Sequence, residues 1–99
     1  MSKFNELING SKPVLVDFYA DWCGPCKTMA PILKQVKGKM GAQISIVKVD
    51  VDRNQAAAMK YSVQSIPTLI LFKNGKQVWR QAGVVPPAQL EQVLRANLG

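Results

Sequence analysis

Residues 14–27 read VLVDFYADWCGPCK, and they contain the only two cysteines of the 99-residue chain. The first half, Val14 to Ala20, is a short β-rich apolar run of the kind that suits a parallel sheet buried on both faces. Cys23-Gly24-Pro25-Cys26 follows at once and opens a helical pattern. Within it Met29, Ile32, Leu33 and Val36 mark one face as far as about Met40, and Pro31 is expected to kink it. A strand that runs through two cysteines into a helix poses the question that the remaining sequence has to answer. Two thiols three positions apart enclose too little chain to brace a fold. The pair is a redox centre, half of a shared metal site, or inert.

Working outward, Phe4, Leu7 and Ile8 follow Ser2 at helical spacing and predict a short opening helix ended by Gly10. Ile44 to Val49, ISIVKV, is a second β-rich run. Asn54 to Tyr61 reads as a short Ala-rich helix. Thr68 to Lys73 and Lys76 to Ala82 flank Asn74-Gly75, the favoured pair for a two-residue hairpin. Leu90, Val93, Leu94 and Leu98 share one face of a closing helix that starts near Pro87. The order α, β, α, β, α, β, β, α predicts an α/β fold. Its right-handed parallel crossover is joined to an antiparallel hairpin in a mixed central sheet, with helices on both faces.

Composition bounds the function. Ninety-nine residues form one domain, 1–99, and 47% hydrophobic against 19% charged residues is a globular balance. There is no histidine, which excludes His-based acid–base catalysis and mixed Cys/His zinc sites. A zinc site built from this chain alone lacks two of its four ligands, so no metal is expected. The net charge of +7 comes from thirteen Lys and Arg spread from Lys3 to Arg95, without interleaved aromatics. That pattern fits a solvated basic surface, with attraction to acidic partners as the second reading, and not a nucleic-acid groove. No apolar run spans a bilayer, and the N-terminus lacks a signal-peptide core, so the expected location is cytoplasmic.

Pro25 suits the first helical position, where its missing N–H is no loss. Cys23 then falls at or near the N-cap, with unpaired N–H groups and the positive end of the helix dipole directed at its sulfur. Its thiolate is favoured there, whereas Cys26, deeper in the helix, tends to remain a neutral thiol. Cys23 is therefore the attacking sulfur and Cys26 the resolving one. Asp17 interrupts the apolar run. Val14, Val16 and Phe18 alternate onto one face, and Leu15, Asp17 and Tyr19 onto the other. A carboxylate buried there has a raised pKa and is suited to accept the Cys26 proton, with a purely structural carboxylate as the alternative. Lys48 lies in the second run as a partner for Asp17 or as a snorkelling edge residue.

The stretches VDFYADWCGPCKTMAPIL, VKVDVD, YSVQSIPTLILFKNGK and the later Gly83 resemble the thioredoxin family in order and spacing, from about Phe4 to Leu98. The resemblance implies the thioredoxin fold and a protein-disulfide reductase working by thiol–disulfide exchange. It implies no bound cofactor, electrons arriving from NADPH through a thioredoxin reductase, and disulfide-containing proteins as substrates. It also implies a cis Ile66–Pro67 bond beside the cysteines, and an apolar docking surface of Trp22, Gly24, Pro25, Ile66, Pro67, Gly83 and Val84. Family members usually have a strand before the first helix, and this chain begins at that helix. Four strands instead of five are expected, with Ile44–Val49 as a sheet edge where Lys48 helps to block pairing. Trp79 stands where a smaller residue is common in the family. A different class of function, a binding subunit with dispensable cysteines, is separated from the reductase by replacing both cysteines. An oxidase or isomerase is the nearer redox rival, and Pro25 between the cysteines favours the reductant.

Overall fold

The computed structural model describes residues 2–99. Helix α1 (Ser2–Ile8) leads to β1 (Val14–Tyr19), α2 (Gly24–Met40) and a 3-10 turn at Gly41–Gln43. Then come β2 (Ser45–Asp50), α3 (Gln55–Lys60), β3 (Thr68–Lys73), β4 (Lys76–Ala82) and α4 (Pro87–Ala96). Among the described residues the strands form one mixed sheet ordered β2-β1-β3-β4, parallel for β1 with β2 and antiparallel elsewhere. The expected four strands are present, and β2 is an edge. Pro31 leaves α2 a single helical segment: the chain stays helical on both sides of it.

The apolar run of β1 is explained by its central place, since Val14, Leu15, Val16, Asp17 and Phe18 are all 0% exposed. Its alternation divides the core. Leu15, Leu69 and Leu71 pack with Met29, Leu33, Val36 and Met40 of α2 and with Leu90 and Leu94 of α4. Val14, Val16, Phe18, Ile70 and Phe72 pack on the opposite face with Ile8 and Ala57, joined by Phe4 and Tyr61. Burial of this kind is worth roughly 1.5–3 kcal/mol for each large aliphatic or aromatic side chain. Trp79, unexplained from sequence, pairs with Leu71 across the β3–β4 ladder and packs half-buried against the α2/α4 layer.

Local chemistry closes the frame. Asn74 and Gly75 both have positive φ, 53° and 78°, the geometry a two-residue hairpin turn demands. Their N–H groups donate to the carbonyls of Gly10 and Ile8, so the end of α1 is fastened to the hairpin tip. At the other end of α2, Lys37 Nζ donates to the carbonyls of Gly41 and Ile44 at 2.7 Å each. That lysine, with Lys39 in the same last turn, places positive charge at the negative end of the helix.

Leu71→Ala deletes a fully buried side chain between the sheet and α2. It is expected to lower unfolding free energy by about 2–5 kcal/mol in urea titration; a loss below ~1 kcal/mol would mean that this layer is not the main core.

Candidate active site

The backbone leaves β1 at Tyr19, and Cys23 N–H donates to the Ala20 carbonyl in a tight turn. Cys23 becomes the N-cap of α2, with φ −88° and ψ 112°. Its Sγ accepts the Cys26 backbone N–H at 3.1 Å, so the sulfur takes the place that a Ser or Asp oxygen occupies in ordinary caps. Gly24 is the first helical residue and Pro25 the second, one position later than the sequence suggests. Like the first, this position has no intrahelical acceptor to lose. Cys23 and Cys26 are joined as a disulfide. At 3% and 4% exposure they are almost covered, in a small cluster with Ala20, Tyr19, Val51 and Ile66.

A second loop completes the surround. The Ile66–Pro67 peptide is cis, and the Ile66 carbonyl oxygen lies 3.8 Å from Cys23 Sγ. Pro67 is buried and Ile66 half-buried. Gly83, at φ +90°, donates its N–H to the Pro67 carbonyl at 2.8 Å, a backbone conformation that strains any residue with a Cβ. Val85 N–H is directed at Met29 Sδ, 3.5 Å away, which ties this loop to α2. Val84 next to it is 39% exposed.

Trp22 is 70% exposed, an unusual position for so large an apolar side chain. Its indole Nε1 donates to Asp52 Oδ2 at 2.8 Å. Asp52 is held in turn by its own N–H, which donates to Asp50 Oδ1. The ring is thus fixed by its polar edge while its body faces solvent. Asp52 was not anticipated from sequence; it sits in the VKVDVD stretch, but thirty residues separate it from Trp22.

Asp17 is fully buried, and neither carboxylate oxygen has a hydrogen-bond partner. Burial raises its pKa from 3.8 to about 6, and the Lys48 charge opposes the shift. The two residues are register partners across β1 and β2. Even so, Lys48 forms no ion pair with Asp17: its side chain is exposed and its Nζ lies 4.5 Å from the centre of the Tyr19 ring. Of the two sequence readings of Lys48, the geometry is that of an edge residue lying along an aromatic. Its influence on Asp17 is a field acting at a distance. A cleft of about 130 Å³ lined by Tyr19, Ala20, Asp21, Cys26, Lys27, Ala30 and Lys48 runs beside Cys26. No group of three or more potential metal ligands occurs among the described residues. No helix described is long and apolar enough to cross a membrane.

Comparison with known proteins adds an independent finding. The family model described as Thioredoxin matches residues 1–96. A thioredoxin-like protein of Synechocystis sp. is 55% identical over 95% of this chain and 90% of its own length. Thioredoxin of Haemophilus influenzae is 42% identical over 93% and 86%. Thioredoxin Y, chloroplastic, of Oryza sativa is 48% identical over 98% of this chain and 58% of its own length. Among solved structures, a mutant thioredoxin from Halobacterium salinarum superposes with a TM-score of 0.89 at 33% identity, covering 100% of this chain and 86% of that one.

The sign of the Asp17 effect follows from its raised pKa. Between pH 3.8 and about 6 the folded chain holds a proton that the unfolded chain has released. Stability therefore falls as pH rises through that window. Asp17→Ala should abolish this slope and, at pH 7, make the protein more stable by on the order of 3 kcal/mol, less the cost of the cavity. Urea titrations of both proteins at pH 4 and pH 7 check this, and a variant less stable at pH 7 with the slope intact would refute it.

Proposed function

Because this chain belongs to the thioredoxin family and is accordingly a thiol–disulfide oxidoreductase, we propose how its own residues divide the reaction. The observation that carries the reading is the Cys23 sulfur at the N-cap of α2, accepting a backbone N–H. In the reduced state the same donor and the helix dipole stabilise a Cys23 thiolate. Residues 1–99 act as a single catalytic unit.

The thiolate attacks one sulfur of a substrate disulfide. A Cys23–substrate bond forms, the substrate disulfide breaks, and the first substrate thiolate leaves. Cys26, deprotonated by Asp17 either directly or through water, then attacks Cys23 Sγ. The mixed disulfide breaks, the Cys23–Cys26 bond forms, and the second substrate thiolate leaves. The substrate gains two electrons and the enzyme pair loses them. Support for Asp17 as acceptor is its burial without partners and a pKa of about 6, which lets it take and return a proton near neutrality. Lys48 contributes by tuning that carboxylate electrostatically.

Trp22, Gly24, Pro25, Ile66, Pro67, Gly83 and Val84 form the docking surface in this reading. Exposure of Trp22 and Val84 favours it, as does the Ile66 carbonyl beside Cys23, available to an extended substrate segment. Disulfide-containing proteins are the substrates, and the pair is re-reduced by a thioredoxin reductase drawing on NADPH. The chain carries no cofactor of its own in this scheme. Bacterial relatives favour a cytoplasmic setting, and the rice relative is named as chloroplastic.

With an insulin-type disulfide substrate, Cys23→Ser should abolish reduction, whereas Cys26→Ser should accumulate a covalent enzyme–substrate species on non-reducing gels. Normal turnover by Cys26→Ser would contradict the division of roles. Asp17→Asn should slow the resolving step by roughly ten-fold or more near pH 7. Identical rates for both proteins from pH 6 to pH 8 would remove Asp17 from the mechanism.

A further inference from the structure

The outer edge of β2 has its own backbone accounting. Ser45 N–H donates to Pro13 O at 3.0 Å and Val51 N–H to Tyr19 O at 2.9 Å, so the odd-numbered residues of this strand direct their backbone groups at β1. Strand alternation then turns those of Ile44, Ile46, Lys48 and Asp50 outward. The two ends of that outward row are occupied: Lys37 Nζ donates to Ile44 O, and Asn54 Nδ2 to Asp50 O. In the middle, no partner outside β2 is found among the described residues for the N–H and C=O of Ile46 and Lys48. The opposite edge of the sheet differs, because β4 pairs with β3 through a register shift at Leu71/Phe72, and such irregularity spoils an edge as a template. The β1–β2 register runs without a shift from Val14–Ser45 to Tyr19–Asp50.

Beside this open ladder lies a groove of about 440 Å³ between β2 and α2. Ala30, Leu33, Gly38 and Ile46 supply its apolar lining, and Lys34, Lys37 and Lys48 its charge. None of these three lysines forms a salt bridge with a carboxylate among the described residues. We propose that the β2 edge and this groove dock an extended segment of a partner protein, added to the sheet as a further strand, whose every second residue, facing the groove, is in turn apolar and acidic. Apolar side chains on one face of the segment fill the groove. Carboxylates on that same face meet the lysines, while the segment's backbone pairs with Ile46 and Lys48.

The same charges decide against a second copy of this chain. Pairing two β2 edges would bring Lys48 and the groove lysines of both copies together on molecules each carrying +7. A lysine in mid-edge is a recognised guard against self-association. Here it repels basic edges and selects an acidic one. The proposal is independent of the thiol chemistry, and its test leaves the cysteines untouched.

The probe is a fluorescein-labelled, capped heptapeptide with Val and Glu in turn at its odd positions and Thr at its even ones, titrated into the intact disulfide-form protein. Saturable binding with a Kd below ~1 mM is expected, with slowed hydrogen exchange centred on the Ile46 and Lys48 amides. N-methylating all Thr residues, or all Val and Glu residues, blocks one or the other edge of the peptide. One of these two peptides should bind roughly ten-fold more weakly, while the other matches the parent. Lys34→Glu should weaken the parent peptide about five-fold, and adding salt should weaken it further. Equal binding of both methylated peptides, equal affinity for the same heptapeptide with Lys in place of Glu, or protection elsewhere would overturn the proposal. So would a concentration-dependent dimer that protects Ile46 and Lys48, since the edge would then belong to a second copy.

Discussion

The hydrogen bond from the Cys26 backbone to Cys23 Sγ is the contact on which this molecule's chemistry depends. It exists because α2 begins where it does. A helix start leaves several N–H groups without carbonyl acceptors, and here a sulfur stands at the cap position that receives one of them. Such donors favour negative charge, so in the proposed mechanism the geometry that finishes the helix is also the one that favours a Cys23 thiolate in the reduced state. In that proposal catalytic activation and helix capping are one arrangement.

That arrangement needs a rigid support. β1 delivers the chain to the cap, and its central residues are sealed on both faces by the two core layers. The cis-proline loop then approaches from the other side, anchored by Gly83 and, through Val85 and Met29, by α2 itself. The redox pair is therefore gripped between two segments that are each fixed by packing and by backbone hydrogen bonds. Trp22, pinned through Asp52, gives the surface above it a broad apolar face at little conformational cost.

Asp17 runs against the stability of this support. A central strand offers its best packing to an apolar residue, and an unpartnered carboxylate there is a liability above its raised pKa. A protein that keeps such a group carries strain in its core at neutral pH. The proton-accepting role proposed for it is a chemical reason for carrying it. On that proposal local folding rules and functional demands diverge at this one position of β1, which shows as a break in the hydrophobic pattern.

Much of this was written in local sequence. The alternation of VLVDFYA assigned Leu15 and Asp17 to one face and Val16 and Phe18 to the other, and Asn74-Gly75 announced the hairpin. The CGPC stretch at a strand-to-helix boundary identified both sulfurs and their unequal positions, because strand period, turn chemistry and helix capping are all short-range effects. What tertiary structure decided was everything that depends on distant segments meeting. Asp52 reaching Trp22, Met29 meeting Val85, Trp79 covering the α2/α4 layer and Lys48 lying over Tyr19 instead of pairing with Asp17 have no local signature. They are set by how the sheet orders its strands and how helices cross it. The open middle of the β2 edge belongs to the same class: Ile46 and Lys48 read as ordinary strand residues until the strand order leaves one side of them without a neighbour.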